Sequence, residues 1–189
     1  MGTITRVKRF LGVTTSVLAL AAAVAGCGGD GDGDGGGGGG GAGDEEARVA
    51  GLEAEVDAAH GVVRAIADAL DVELEAGTRR FRACGESFAY HGVKVDEHLR
   101  FGPSPLGAGP AVDAAARVLE EEGWSVERPG NPSIVLGTRG QVQVRVEGGA
   151  AVQVGVGNPD CVDTGHDVAR EFGEREREDV TWEDDPAGP

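Results

Sequence analysis

Apolar side chains recur with a 3-4-3-4 spacing at Val49, Leu52, Val56, Ala59, Val63, Ile66 and Leu70. That period predicts an amphipathic helix, read here as one long helix from about 45 to 76. Asp44, Glu45 and Glu46 suit its positive N-terminal end, and Gly77 offers a stop. The stripe changes width along its length. Arg48, Glu53, Glu55 and His60 flank a narrow seam in the first half, whereas Val62, Ala67 and Ala69 broaden the second. The wide half is expected to dock on a sheet. The narrow half reads as a stalk or a short coiled coil, with Gly61 interrupting it.

The period then shortens to two. Phe88 and Tyr90 alternate, and Val93 and Val95 continue on the shifted phase, so Gly92 marks a bulge or break. Residues 102–110 form a turn-rich loop. Val112, Ala115, Ala116 and Leu119 give a short helix that opens near Pro110 and ends at Gly123, with Trp124 packing beneath. Ile134–Leu136, then Val142, Val144 and Val146, then Val152, Val154 and Val156 describe a three-strand meander turning at Arg139-Gly140 and Gly148-Gly149. The expected class is α+β: an antiparallel meander sheet with the long N-terminal helix and the second short helix on one face. The domain spans 44–162. The acidic tail from Asp163 to Pro189 is expected to be mostly disordered.

Charge narrows the functions. The chain of 189 residues carries 17 basic and 33 acidic side chains. Its first 26 residues hold Arg6, Lys8 and Arg9 and no acid, which leaves a formal charge of -19 on the remainder. A nucleic-acid partner needs a basic face to release counterions. The longest basic cluster is Arg79-Arg80-Phe81-Arg82, so nucleic acid and a purely electrostatic grip on anionic lipid are both disfavoured.

The N-terminus is the most specific segment. The basic stretch precedes an uncharged run from Phe10 to Gly26, rich in Ala, Thr and Gly. That run sits at the lower edge of the roughly 20 apolar residues a spanning helix needs. A basic start, a short apolar stretch and small residues at its end form a secretory signal. The end, Val24-Ala25-Gly26-Cys27, resembles the lipobox of bacterial lipoproteins. The resemblance implies a signal peptide over 1–26, cleavage before Cys27, and a diacylglyceryl group on the Cys27 sulfur. The partner is then the cell membrane, held on its extracytoplasmic side. Two acyl chains give stable attachment, at about 0.8 kcal/mol per buried methylene. Residues 28–43, nearly all Gly and Asp, read as a flexible tether with an r.m.s. span of about 20–24 Å. Asp30, Asp32, Asp34 and Gly35 match the first half of a calcium loop, but its twelfth position is Gly41 rather than a bidentate Glu.

Cys84 and Cys161 remain after lipidation. In an exported chain they are expected to pair, stabilising the fold by about 4–5 kcal/mol in the chain-entropy account. The alternatives are a redox couple, for which no C-x-x-C exists, and a nucleophile near His91. Arg82-Ala83-Cys84-Gly85, the helix from Ala111 ending in Gly123-Trp124, the meander and a closing Cys161 are together similar to small uncharacterised cell-envelope lipoproteins of high-GC Gram-positive bacteria. That resemblance supports fold and disulfide, and it transfers no catalytic residue or ligand.

His60, His91, His98 and His166 are scattered and lack metal spacing, so no metal or other cofactor is assigned. Asp96-Glu97 and Glu120-Glu121-Glu122 read as solvated faces. The expected function is a non-catalytic binding or interaction module on a lipoprotein. The alternatives are a small-molecule or lipid carrier with a cavity between sheet and helix, and a hydrolase.

Overall fold

The first helix, α1, spans Ala42–Leu70, and all seven positions of its 3-4 stripe are buried. It stops earlier than its expected end at 76. Asp71 takes a left-handed conformation, φ 53°. The Asp71 N–H donates to the Asp68 carbonyl at 3.3 Å and the Val72 N–H to the Ala67 carbonyl at 3.1 Å. This is a Schellman closure built on Asp rather than on Gly. The Ser104 hydroxyl donates to the Leu70 carbonyl at 3.0 Å and satisfies the last turn further. Gly77 lies inside the next strand. The first half of α1 is no stalk: Val49, Leu52 and Val56 are buried, and Arg48 donates to the Asp163 carbonyl at 2.9 Å.

The structure, a computed structural model, describes residues 42–86 and 88–182. The expected signal peptide, Cys27, the tether up to 41, the partial calcium-loop match and residues 183–189 lie outside the described residues. No helix of the described residues is long and apolar enough to cross a membrane.

After α1 comes a long hairpin of β1 (Leu74–Glu86) and β2 (Ala89–Phe101). The register shifts between Cys84 and Gly85, which leaves His91 unopposed beside Gly92, where the sequence phase slips. Phe88 sits in the turn, 79% exposed, rather than in a strand. Helix α2 (Ala108–Glu121) buries Ala111, Val112, Ala115, Ala116 and Leu119. It closes through Gly123 (φ 80°), with Trp124 N–H on the Leu119 carbonyl at 2.9 Å. Strands β3 (Ser125–Glu127), β4 (Ile134–Arg139), β5 (Val142–Glu147) and β6 (Gln153–Gly157) follow. The last three are the expected meander. Strand β6 then pairs back onto β2, so the meander and the hairpin form one antiparallel sheet. Strand β7 (Val162–Asp163) pairs with β2.

The acidic tail does not behave as expected. Residues 166–174 form α3 (His166–Glu174), and β8 (Glu178–Asp179) pairs with β1 at Arg79 and Thr78. Within this acidic stretch, Val168, Ala169 and Phe172 make a small apolar stripe that is fully used. Phe172 meets Phe81 edge-on at 5.3 Å between ring centroids, and the Arg175 guanidinium sits 3.6 Å from the Phe172 centroid. Trp182 tilts against Phe101 at 5.5 Å. Each large apolar side chain so buried is worth about 1.5–3 kcal/mol, enough to order a short acidic segment.

The sheet runs β3-β4-β5-β6-β2-β1-β8. Its inner face carries Phe81, Val93, Val95, Leu99, Phe101, Val135, Val142, Val144, Val146, Val154 and Val156, all buried. Helices α1 and α2 cover that face, and α3 reaches it through Phe81. The alternate side chains point to the other face, where Arg80, Arg82, His98, Arg100, Arg145 and Gln153 are exposed.

Candidate functional site

The two cysteines that remain after Cys27 are joined. Cys84 lies near the end of β1, and Cys161 lies between β6 and β7. Their Cα atoms are 6.3 Å apart. A Cβ at Gly92, which opposes Cys84, would lie 2.5 Å from the Val162 carbonyl. The β2 backbone must therefore approach β7 closely here, and only Gly allows it. The bridge ties the hairpin to the far end of the meander.

Glu97, read as part of a solvated face, is instead 0% exposed, and His60 is 9% exposed. The period-2 pattern of β2 puts Glu97 on the inner face between Val95 and Leu99, beneath α1. Arg79 is its direct cross-strand neighbour on β1. The Arg79 Nε and Nη2 atoms reach Glu97 Oε1 at 2.7 and 2.6 Å. His60 Nε2 reaches the other carboxylate oxygen at 2.7 Å. Arg79 also pairs with Asp57, one helical turn before His60. Burial acts to lower the Arg79 pKa, but the two carboxylates outweigh it and hold the guanidinium above its ordinary value. Its charge is fixed. This follows from the physics of a buried carboxylate, which persists only when paired and hydrogen-bonded.

Asp57, His60 and Glu97 bring three metal-type donors within 4.8 Å of one another. Arg79 decides against a cation there. Its guanidinium bridges both carboxylates, and a metal would have to displace a fixed positive charge from their centre. Both Glu97 oxygens are already committed. The cluster is a closed structural network that sets α1 on the hairpin. Of the other histidines, His166 stacks on Tyr90 at 5.7 Å, while His91 and His98 are exposed; the four do not converge.

The outer face of the sheet is different. Its outward side chains along Thr78–Cys84, Lys94–Arg100, Gln143–Glu147 and Gln153–Gly157 include five basic residues, Arg80, Arg82, Lys94, Arg100 and Arg145. They include two acidic ones, Asp96 and Glu147. Acids stand among them as well: Glu75 pairs with Arg100, Glu127 opposes Leu136 beside Arg145, and Asp179 opposes Thr78, so both signs are interspersed on this face. In the middle of this face stands Gly155, opposed by His98 on β2 and Arg145 on β5. The missing side chain leaves a groove of about 410 Å³ lined by His98, Arg100, Arg145, Glu147, Gln153 and Gly155. Arg145 pairs with Glu147 at 2.9 Å and Arg100 with Glu75 at 3.1 Å, both among half-exposed side chains.

A second cleft of about 670 Å³ opens at one end of the sheet, between Ala67, Val72, Leu74, Val180 and Trp182. Its walls include Ala67 and Asp68 of α1 and Leu74–Thr78 of β1, so it opens between the end of α1 and the sheet, the two sides between which the carrier alternative puts a cavity. Further back along α1, Val56, Ala59, Val63 and Ile66 are buried against the inner face. Comparison of the chain with protein-family models, curated proteins and solved structures returns no match.

The sequence pairs Cys84 with Cys161, but it offers Glu97 only within an acidic run, Arg79 only within a basic cluster, and gives Gly155 no sign of its own. The one available signal for Glu97 is its phase: it falls in line with Val93, Val95 and Leu99. A carboxylate in an apolar alternation demands a buried cation, and Arg79 heads the longest basic cluster in the sequence.

Proposed function

We propose that this protein is an extracytoplasmic lipoprotein, anchored to the cell membrane through Cys27, whose domain is a non-catalytic binding module using the outer face of its sheet. The observation that carries this reading is that uncovered face, with its exposed arginines and its groove at Gly155. A one-sided sheet is a rigid platform: helices hold one face, and the other is free to meet a partner. The Cys84–Cys161 bridge supports export, since such bonds persist in oxidising compartments. The Val24-Ala25-Gly26-Cys27 sequence supports the anchor. The buried ionisable groups are spent on each other, which argues for a scaffold rather than for acid–base chemistry.

The test is site-specific photocrosslinking on intact cells, with a photoreactive residue at Gln153 on the outer face or at Glu121 on α2. Adducts from position 153 and none from 121 are expected. Equal or absent labelling from both overturns the reading of the face. For the anchor, Cys27→Ala should abolish lipid labelling, and detergent-phase partitioning equal to wild type would remove the lipoprotein assignment.

A further inference from the structure

A glycine inside a strand marks a bulge, a bend, a close backbone approach or a ligand. At Gly155 the first three fail. Its ladders run without a register shift on both sides, from Leu99↔Val154 to Glu97↔Val156 and from Val146↔Val154 to Val144↔Val156. Its φ is not positive. A Cβ built there would meet the Glu97 carbonyl oxygen at 3.8 Å and Arg145 Cβ at 3.9 Å, both ordinary contacts. Neither backbone nor packing requires glycine at this position, although glycine weakens a strand.

The donors around the gap are basic. Arg145 and His98 stand on either side, with Arg100 further along β2, paired with half-exposed Glu75 as Arg145 is with Glu147. Arg145 commits one Nη atom to Glu147, and a guanidinium has five donors in a fork that matches carboxylate and phosphate oxygens. Glu147 is half-exposed, so an incoming anion can replace it with little loss. We propose that the notch over Gly155 is a binding site for a small ligand bearing a carboxylate or phosphate group. Arg145 and Arg100 receive the anion, His98 flanks it, and the body of the ligand lies on the bare backbone of Gly155. This rests on the outer face being the functional one.

The test is amide chemical-shift titration of the full-length lipoprotein in detergent micelles. The probes are inorganic phosphate and citrate, with sodium chloride at matched ionic strength as the control. Saturable shifts centred on His98, Arg145 and Gly155 are expected with at least one probe, and the probe that saturates tells phosphate from carboxylate. Arg145→Gln and Gly155→Leu should each weaken that binding tenfold or more, while Arg128→Gln, at a surface pair with Asp113, leaves it unchanged. Arg145 is exposed, so its variant reports binding even if the Leu variant fails to fold. No saturation beyond the chloride control, or a folded Gly155→Leu that binds as wild type, overturns the site. If the titration fails while crosslinks from position 153 persist, the anion site falls and the face stands; if both fail, the reading of the face falls too.

Discussion

Gly137 on β4 and Gly155 on β6 lie two strands apart in one sheet and face opposite ways. A Cβ at Gly137 would come within 2.7 Å of the Leu119 side chain of α2. Helix α2 sits as close as it does because that position is bare. At Gly155 the space is open and the neighbours are at contact distance. The same residue type therefore has two unrelated roles, one dictated by packing and the other free of it. The wider contrast is between the two faces. On the inner face every position is constrained by a neighbour, even the charged ones, which form a closed network. On the outer face, away from Cys84 and Gly157, most side chains are exposed or half-exposed and the ion pairs are half in water.

That contrast is broken or sharpened by substitution. The largest effect should come from the inner network. Arg79→Met strands the buried Glu97 carboxylate and should cost about 3–5 kcal/mol by urea unfolding. A combined Arg79→Met, Glu97→Leu variant should recover most of that loss; failure to recover would mean the network contributes more than mutual charge compensation. Next, Cys161→Ser should lower stability by roughly 2–5 kcal/mol under non-reducing conditions. Addition of reductant to wild type should produce the same shift, and mass spectrometry should find one linked Cys84–Cys161 peptide pair before reduction. Gly137→Val overpacks the α2 interface and should cost about 1–3 kcal/mol. At the far end, Gly155→Thr should leave stability unchanged or raise it by up to about 1 kcal/mol, because a β-branched residue suits a strand. A loss there comparable to that of Gly137→Val would show that the outer face is as constrained as the inner one.

The sequence was legible where burial follows a period. The 3-4 stripe of α1, the face of α2 and the three valine strands each expose their phase locally, and the structure buries those positions. Strand β1 was not legible, because its inward positions, Gly77, Arg79, Phe81 and Ala83, mix a glycine and a charge among the apolar residues. Asp71 hid the end of α1, since a left-handed Asp carries no more signal than any other acid in an acidic chain. The order of the tail is hidden for a similar reason. Three apolar residues among many charges suffice only because Phe81 waits for Phe172, and that surface belongs to a strand far away in sequence. At the candidate site, the alternation of Val152, Val154 and Val156 gives Gly155 its outward phase. Its neighbours His98 and Arg145 emerge only from the registers that join β2, β6 and β5.

The Cys84–Cys161 bond, spanning 77 positions, also fixes how the domain carries mechanical load. Tension applied at the start of α1 travels along α1 and β1 and arrives at Cys84. There it divides between the polypeptide that continues into β2 and the covalent shortcut to Cys161. The segment holding α2 and strands β2 to β6 is therefore a closed ring, and a pull on the chain ends can peel only what hangs outside it. A load attached at Gly155 is inside the ring and is shared by both arms. The bond therefore limits how far a pull on the chain ends can extend the segment that carries the groove.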